Sequence, residues 1–133
     1  MKKIEHIGIA VSNLEKANKL YSNILGIKPY KMEEVEVEGV ITSFFKTSNT
    51  KIELLQGYSE NNAISKFIKN RGEGLHHIAF EVKDILFEIK RLKKLGFNII
   101  NEIPQKGADN KLVCFIHPKS TNHVLIELCQ EIK

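Results

Sequence analysis

The sequence predicts an α+β fold built from two copies of one βαβββ module, because three pairs of segments repeat in the same order. The strand-like residues 6–11 (HIGIAV) match residues 77–82 (HIAFEV). Each segment precedes an amphipathic helix, and both helices close on the dipeptide Leu-Gly. The final strands match best, since residues 51–56 (KIELLQ) align with residues 125–130 (LIELCQ). Self-similarity at this spacing is typical of a duplicated supersecondary unit.

The first module begins with residues 6–11 and continues as a helix with apolar residues at helical spacing. This apolar stripe consists of Leu14, Ala17, Leu20, Tyr21, Ile24 and Leu25. Ser12 and Glu15 have the spacing of a capping box, and Gly26 is expected to end the helix in the left-handed conformation. Residues 31–38 then alternate as a strand, a turn follows at residues 39–40, and residues 41–46 form the next strand.

The second module repeats this order after a connecting segment. Residues 61–71 predict a linker helix, with Ile64, Phe67 and Ile68 facing inward. Asp84 is the expected N-cap of the next helix, and its apolar stripe consists of Ile85, Leu86, Ile89, Leu92 and Leu95. We therefore expect a single domain over residues 1–133, with modules at about 1–58 and 75–131.

Composition narrows the class of protein. The chain of 133 residues is 42% hydrophobic and 27% charged, as expected for a globular domain. No apolar run reaches the roughly 18 residues of a membrane span, so we expect a cytoplasmic protein that does not bind membranes. The net charge of +4 is spread along the chain, which argues against nucleic-acid binding and permits an anionic substrate. Cys114 and Cys129 lie in apolar runs and are interpreted as buried thiols.

The repeat also aligns four polar residues inside apolar strands. His6 aligns with His77, and Glu53 aligns with Glu127. A single strand histidine or glutamate is more often structural than a ligand. Two imidazoles and two carboxylates at equivalent positions, however, would supply a mixed nitrogen and oxygen ligand set for one divalent ion. Because His76 precedes His77, it is a competing candidate, and the register with His6 favours His77.

The same residues resemble the vicinal oxygen chelate superfamily, which includes glyoxalase I, extradiol dioxygenases and several antibiotic-resistance proteins. Four segments in order are most similar to the methylmalonyl-CoA epimerases. They are residues 71–82 (RGEGLHHIAFEV), 101–104 (NEIP), 115–120 (FIHPKS) and 124–128 (VLIEL). The resemblance spans nearly the whole chain, and it implies a glyoxalase-like fold in which two βαβββ modules pair around a metal-binding cleft.

This resemblance implies that His6, Glu53, His77 and Glu127 bind a divalent metal ion such as Co, Ni, Zn or Mn. It implies an epimerase that interconverts methylmalonyl-CoA stereoisomers by removing and returning the α-proton through a metal-stabilised enolate, with Glu127 as the base. At the position where some relatives carry a second carboxylate base, this chain has Ile41 and Thr42, so Glu53 is the candidate for the second proton transfer.

Two other functions are compatible with the sequence. One is glyoxalase I (lactoylglutathione lyase) acting on the methylglyoxal hemithioacetal, since glyoxalases commonly carry glutamate where this chain has Glu53. The other is a resistance protein that sequesters a small molecule without turning it over. The expected partner is thus a small thioester or hemithioacetal, and the family resemblance adds a possible homodimer.

Overall fold

The computed structural model describes residues 1–133 and contains both helices and strands. Strands β1 to β8 span Lys3–Ala10, Lys31–Val35, Val40–Lys46, Lys51–Gly57, Gly74–Glu81, Gln105–Lys106, Lys111–Ile116 and Leu125–Glu131. Helices α1 to α3 span Leu14–Leu25, Ala63–Arg71 and Ile85–Lys94. None of these helices has the length and apolar character needed to cross a bilayer. Each half runs β-α-β-β-β, which confirms the predicted α+β class.

The hydrogen bonding between strands repeats the duplication seen in the sequence. The strands follow the order β2-β3-β4-β1-β5-β8-β7-β6, so β2-β3-β4-β1 in one half has the same order as β6-β7-β8-β5 in the other. β5 and β8 are parallel, whereas β7 and β8 are antiparallel. β3 and β4 are likewise antiparallel. The first strand after the helix differs between the halves, because β6 has only two residues.

The chain divides into two compact units, one comprising Met1–His6 with His77–Lys133 and the other comprising Ile7–His76. Each unit has its own apolar core in which a helix packs on strands. In the unit formed by Met1–His6 and His77–Lys133, the core consists of Val82, Ile85, Ile89, Leu92, Ile99, Cys114, Ile116 and Leu128. In the unit Ile7–His76, the core consists of Val11, Leu14, Ala17, Phe45 and Leu54.

Equivalent backbone hydrogen bonds fix the same register in both units. The Val11 N–H donates to the Leu55 carbonyl at 2.9 Å in the unit Ile7–His76. In the other unit the Val82 N–H donates to the Cys129 carbonyl, also at 2.9 Å. Leu55 and Cys129 are therefore equivalent positions on the last strands of the two halves, as the alignment of residues 51–56 with 125–130 predicts.

A glutamine side chain accepts a hydrogen bond from the first N–H of the corresponding helix in each unit. The Leu14 N–H at the start of α1 donates to the side-chain oxygen of Gln56 at 2.6 Å. The Ile85 N–H at the start of α3 donates to the side-chain oxygen of Gln130 at 2.7 Å. These bonds satisfy N–H groups that have no partner within the helix, and they tie each helix to the strand that carries a candidate glutamate.

The helix boundaries confirm some of the predicted caps and correct one. Asp84 caps α3 as predicted, since its side chain accepts from Phe87 N–H. Gly26 follows α1 with a φ of 69°, the left-handed conformation expected of it. The prediction that Ser12 caps α1 was wrong: the cap is Asn13, which accepts from the Lys16 N–H at 3.0 Å. Asparagine and serine cap helices about equally well, so composition alone does not separate adjacent candidates.

The buried stripes of α1 and α3 are narrower than predicted. Leu20 and Ile24 are 57% and 65% exposed on α1, and Leu86 and Leu95 are 61% and 65% exposed at the two ends of α3. At about 100° per residue, Leu20, Leu86 and Leu95 lie roughly 85–105° from the centre of the buried stripe of their helix, and Ile24 lies about 50–65° from it in the last turn of α1. The predicted inward positions of these four residues were therefore wrong.

Candidate active site and metal centre

Four ionisable side chains are buried together in the unit that comprises Met1–His6 and His77–Lys133. Glu5, His6, His77 and Glu127 are exposed by only 3%, 4%, 5% and 5%. Ionisable groups are costly to bury unless they are paired or bind a metal ion. Such a cluster is therefore a candidate functional site.

The three of these residues that the sequence repeat singled out converge on one point. The Nε2 atoms of His6 and His77 lie 3.0 Å apart. The two carboxylate oxygens of Glu127 divide between them: Oε2 lies 3.5 Å from His6 Nε2, and Oε1 lies 3.4 Å from His77 Nε2. The imidazole rings are nearly perpendicular, at 89°. Two nitrogens and two oxygens thus point toward a shared volume.

Strand register explains why Glu127 faces this volume. On β8, Glu127 lies opposite Ala79 of β5 and opposite Phe115 of β7. Its neighbour Leu128 points to the other face, where it belongs to the core that contains the α3 residues. Because Leu128 faces the core that contains the α3 residues, the alternation of β8 directs the carboxylate of Glu127 to the face shared with His77. The small side chain of Ala79 leaves room for it there.

Glu5 is a functional candidate that sequence reasoning missed. Its Oε1 lies 2.9 Å from His6 Nδ1, within hydrogen-bonding distance. Successive strand residues point to opposite faces, so the alternation of β1 predicts that Glu5 and His6 are separated. The available signal was the chemistry of the dipeptide, a carboxylate directly beside a candidate histidine ligand.

The fourth predicted ligand, Glu53, lies on β4 opposite Phe44 and is 4% exposed. It precedes Leu55 by two residues, as Glu127 precedes Cys129, so the two glutamates are equivalent in their strands.

The other histidines make different contacts. The His76 ring packs edge-on against Phe67 at a centroid distance of 4.9 Å. Burial, and secondarily the charge of Arg71, lower the pKa of His76 from 6.5 to about 4. His117 Nδ1 accepts from the Lys119 N–H in the turn after β7. Neither contact involves His6, His77 or Glu127.

The donor set fits a divalent metal ion. Nitrogen and oxygen ligands bind Zn²⁺ at about 2.0–2.2 Å, so ligand atoms that share one ion lie about 3 to 3.5 Å apart. The distances of 3.0, 3.4 and 3.5 Å among His6, His77 and Glu127 have this size. Imidazole with carboxylate suits several first-row metals, so these donors do not select one of them.

Comparison with known families agrees with this fold. The family model of the glyoxalase/bleomycin resistance protein/dioxygenase superfamily matches residues 5–115. The chain belongs to that superfamily. The matched segment includes three of the four predicted ligands and ends before β8, which carries Glu127.

Within the superfamily, the chain is similar to proteins named as epimerases. It is 41% identical to the ethylmalonyl-CoA/methylmalonyl-CoA epimerase of Cereibacter sphaeroides, over 96% of this chain and 97% of that protein. It is also 41% identical to the mitochondrial methylmalonyl-CoA epimerase of Dictyostelium discoideum, over 95% of this chain and 76% of that protein. The chain is also similar to a solved structure of Streptomyces coelicolor methylmalonyl-CoA epimerase, a variant in complex with 2-nitronate-propionyl-CoA. The two structures superpose with a TM-score of 0.93 at 29% identity, over 98% of this chain and 95% of that chain.

Proposed function

We propose that the protein is a metal-dependent epimerase that interconverts the stereoisomers of methylmalonyl-CoA. The observation that carries the proposal is the convergence of His6, His77 and Glu127 in a buried site. The similarity of nearly the whole chain to proteins named as methylmalonyl-CoA epimerases supports the choice of substrate.

We propose His6, Glu53, His77 and Glu127 as the metal ligands, and Co, Ni, Zn or Mn as the ion. The close approach of His6, His77 and Glu127 supports three of them, and the burial of Glu53 at the strand position equivalent to Glu127 supports the fourth. A divalent ion bound here would act as a Lewis acid on the thioester carbonyl and make the neighbouring carbon more acidic.

Glu127 is the proposed base. Its carboxylate is held at the site by the register of β8, beside both imidazoles, and a positioned carboxylate can remove a proton from the α-carbon. Burial excludes bulk water, which would otherwise compete for the carboxylate and reprotonate the carbon without stereochemical control. The hydrophobic neighbours Ala79 and Phe115 contribute to that exclusion.

Epimerisation requires the proton to leave one face of the α-carbon and to return to the other. Glu53 is the proposed second acid/base, because it occupies the position in its half that Glu127 occupies in the other. Two carboxylates related by the duplication can approach a substrate from different sides, so Glu127 would remove the proton from one stereoisomer and Glu53 would protonate the opposite face. In the reverse direction their roles exchange.

Proton exchange at the α-carbon tests the proposal directly. Metal-loaded protein would be incubated with methylmalonyl-CoA in D₂O, and loss of the α-proton signal would be followed by NMR together with interconversion of the stereoisomers. We expect exchange and interconversion to require the protein, and chelation of the metal to abolish both. Absence of exchange in the protein loaded with each of the four metals would refute the epimerase.

The methylglyoxal hemithioacetal is the matched control substrate. Its conversion without exchange on methylmalonyl-CoA would instead identify a glyoxalase. A protein that binds methylmalonyl-CoA equally well with and without metal, and catalyses neither reaction, would be a sequestering protein. The homodimer and the cytoplasmic location expected from the sequence stay predictions.

A further inference from the structure

Glu5 occupies a position that the proposed reaction does not use. It is 3% exposed, it lies on β1 directly before His6, and its Oε1 is 2.9 Å from His6 Nδ1. The other ring nitrogen of His6, Nε2, is the atom that faces His77 and Glu127. Glu5 and the proposed metal position therefore lie at opposite ends of the same imidazole ring.

The two ends of an imidazole are chemically coupled. When Nδ1 carries the proton and donates it to a carboxylate, Nε2 of the neutral ring keeps its lone pair and can bind a metal. The same hydrogen bond limits rotation of the ring, so Nε2 stays directed at the site. We propose that Glu5 is a positioning residue that holds His6 in the tautomer and orientation required for metal binding. This inference rests on the proposed metal site.

The duplication provides an internal comparison. The residue that corresponds to Glu5 in the second half is His76, which precedes His77 as Glu5 precedes His6. His76 packs edge-on against Phe67 of α2, and it lies near the charge of Arg71. A β1-type strand in this fold therefore does not require a carboxylate at this position. The carboxylate is specific to the first half, where it contacts the ring of a candidate ligand.

A buried carboxylate such as Glu5 is unfavourable unless strong hydrogen bonds compensate for the loss of hydration. A bond from an imidazole N–H to a carboxylate is of this stronger kind, and it gains further when a cation withdraws electron density from the same ring. Metal binding at Nε2 and the Glu5 hydrogen bond at Nδ1 should therefore strengthen each other.

Metal affinity of Glu5→Gln tests the proposal. Glutamine keeps the size of the side chain and removes the negative charge, and Glu81→Gln, on the strand that carries His77, is the matched control for loss of one carboxylate. Co²⁺ would be titrated into each metal-free protein and followed by its visible absorbance. We expect Glu5→Gln to bind about 10–100-fold more weakly, as for other carboxylates that orient a histidine ligand, and Glu81→Gln to bind as the wild type does.

The His6 tautomer gives a second readout that a purely structural role would not change. In metal-free wild-type protein at pH 8, the ¹⁵N shifts of His6 should show the proton on Nδ1, and this population should fall in Glu5→Gln. Saturating Co²⁺ should restore most of the turnover of the variant, because Glu5 is not placed against the substrate. The wild-type measurement needs no substitution, so it tests the proposal even if the variant does not fold.

The outcomes separate the two proposals. Equal Co²⁺ affinity in Glu5→Gln and wild type, or a wild-type His6 with its proton on Nε2, would overturn the role of Glu5 and leave the epimerase intact. Two ions per chain would also overturn it, because Glu5, His6 and Cys129 offer ligand atoms within 4.8 Å of one another and Glu5 would then be a ligand itself. A wild-type protein that binds no Co²⁺, Ni²⁺, Zn²⁺ or Mn²⁺ would refute both the metal site and the positioning role of Glu5. An active metal-loaded wild type, together with a Glu5→Gln variant of unchanged Co²⁺ affinity, would refute only the role of Glu5.

Discussion

The substitution Glu127→Gln keeps the shape of the side chain at the site and removes its ability to accept the α-proton. The two carboxylate oxygens of Glu127 lie 3.5 Å from His6 Nε2 and 3.4 Å from His77 Nε2. Glutamine has nearly the same shape but only one oxygen, so in either orientation of the amide one of the two histidines faces an NH₂ group. The variant can keep one oxygen ligand for the metal, but it has no carboxylate to accept the α-proton.

The expected loss of activity follows from the role of a general base. Positioned acid/base groups contribute about 10²–10⁴-fold to the rate, which corresponds to about 2.7–5.4 kcal/mol of activation free energy. The loss should appear in kcat at saturating metal and substrate, because substrate binding does not require the proton to move. Metal affinity should also fall, since one of the two oxygens is replaced.

The assay is α-proton exchange in D₂O at a metal concentration shown by titration to saturate the variant. Glu131→Gln is the matched control: it makes the same change four residues along β8, where the side chain is 60% exposed and lies 3.6 Å from Lys111 Nζ. The control should retain full activity. If metal-saturated Glu127→Gln exchanges the proton at more than a tenth of the wild-type rate, Glu127 is not the base.

Three further predictions concern buried groups outside the proton transfer. Burial, with a contribution from the Glu127 carboxylate, raises the pKa of the Cys114 thiol to about 12. Cys114 should therefore resist a thiol reagent at pH 8 until the protein unfolds. Rapid labelling of Cys114 in the native protein would contradict this prediction. Burial, and secondarily the charge of Arg71, lower the pKa of His76 from 6.5 in the unfolded chain to about 4 in the folded protein. Between these pH values the unfolded chain therefore binds more protons than the folded protein. The free energy of unfolding should fall by up to about 3 kcal/mol as the pH drops from 6.5 to 4. His76→Gln should flatten that part of the curve measured by urea unfolding, and an unchanged slope would show that other groups cause it. Leu128→Ala removes a fully buried side chain from the core that includes α3 residues and should lower the free energy of unfolding by about 2–5 kcal/mol; a loss below 1 kcal/mol in the same experiment would mean that the core closes over the space.

Local features were predictable where a short segment carries its own physical signal. Gly26 ends α1 because glycine takes a positive φ without strain, and the sequence shows that glycine directly. Asp84 caps α3 for a similarly local reason, since its side chain reaches the N–H three residues ahead. The repeat added long-range information, because two copies of one module must have equivalent registers. The repeat pairs His6 with His77 and Glu53 with Glu127, and the structure brings His6, His77 and Glu127 together.

Features that depend on neighbouring elements were not predictable in the same way. The exposure of Leu20 and Leu86 depends on how much of each helix surface the strands cover, and periodicity shows only which residues share a face. Glu5 is a sharper case. Alternation along β1 places it opposite His6, and only the folded backbone shows that its carboxylate reaches the imidazole.

The amino-acid sequence by itself determined the α+β class, the order of the elements and the equivalence of the two halves, because these depend on hydrophobic period and on self-similarity along the chain. Only the tertiary structure decided which atoms of His6 face Glu5 and which face His77, and which apolar helix residues are buried. The physical reason is that these properties depend on side-chain directions and on surfaces contributed by segments distant in sequence. Neither quantity is encoded in a local pattern.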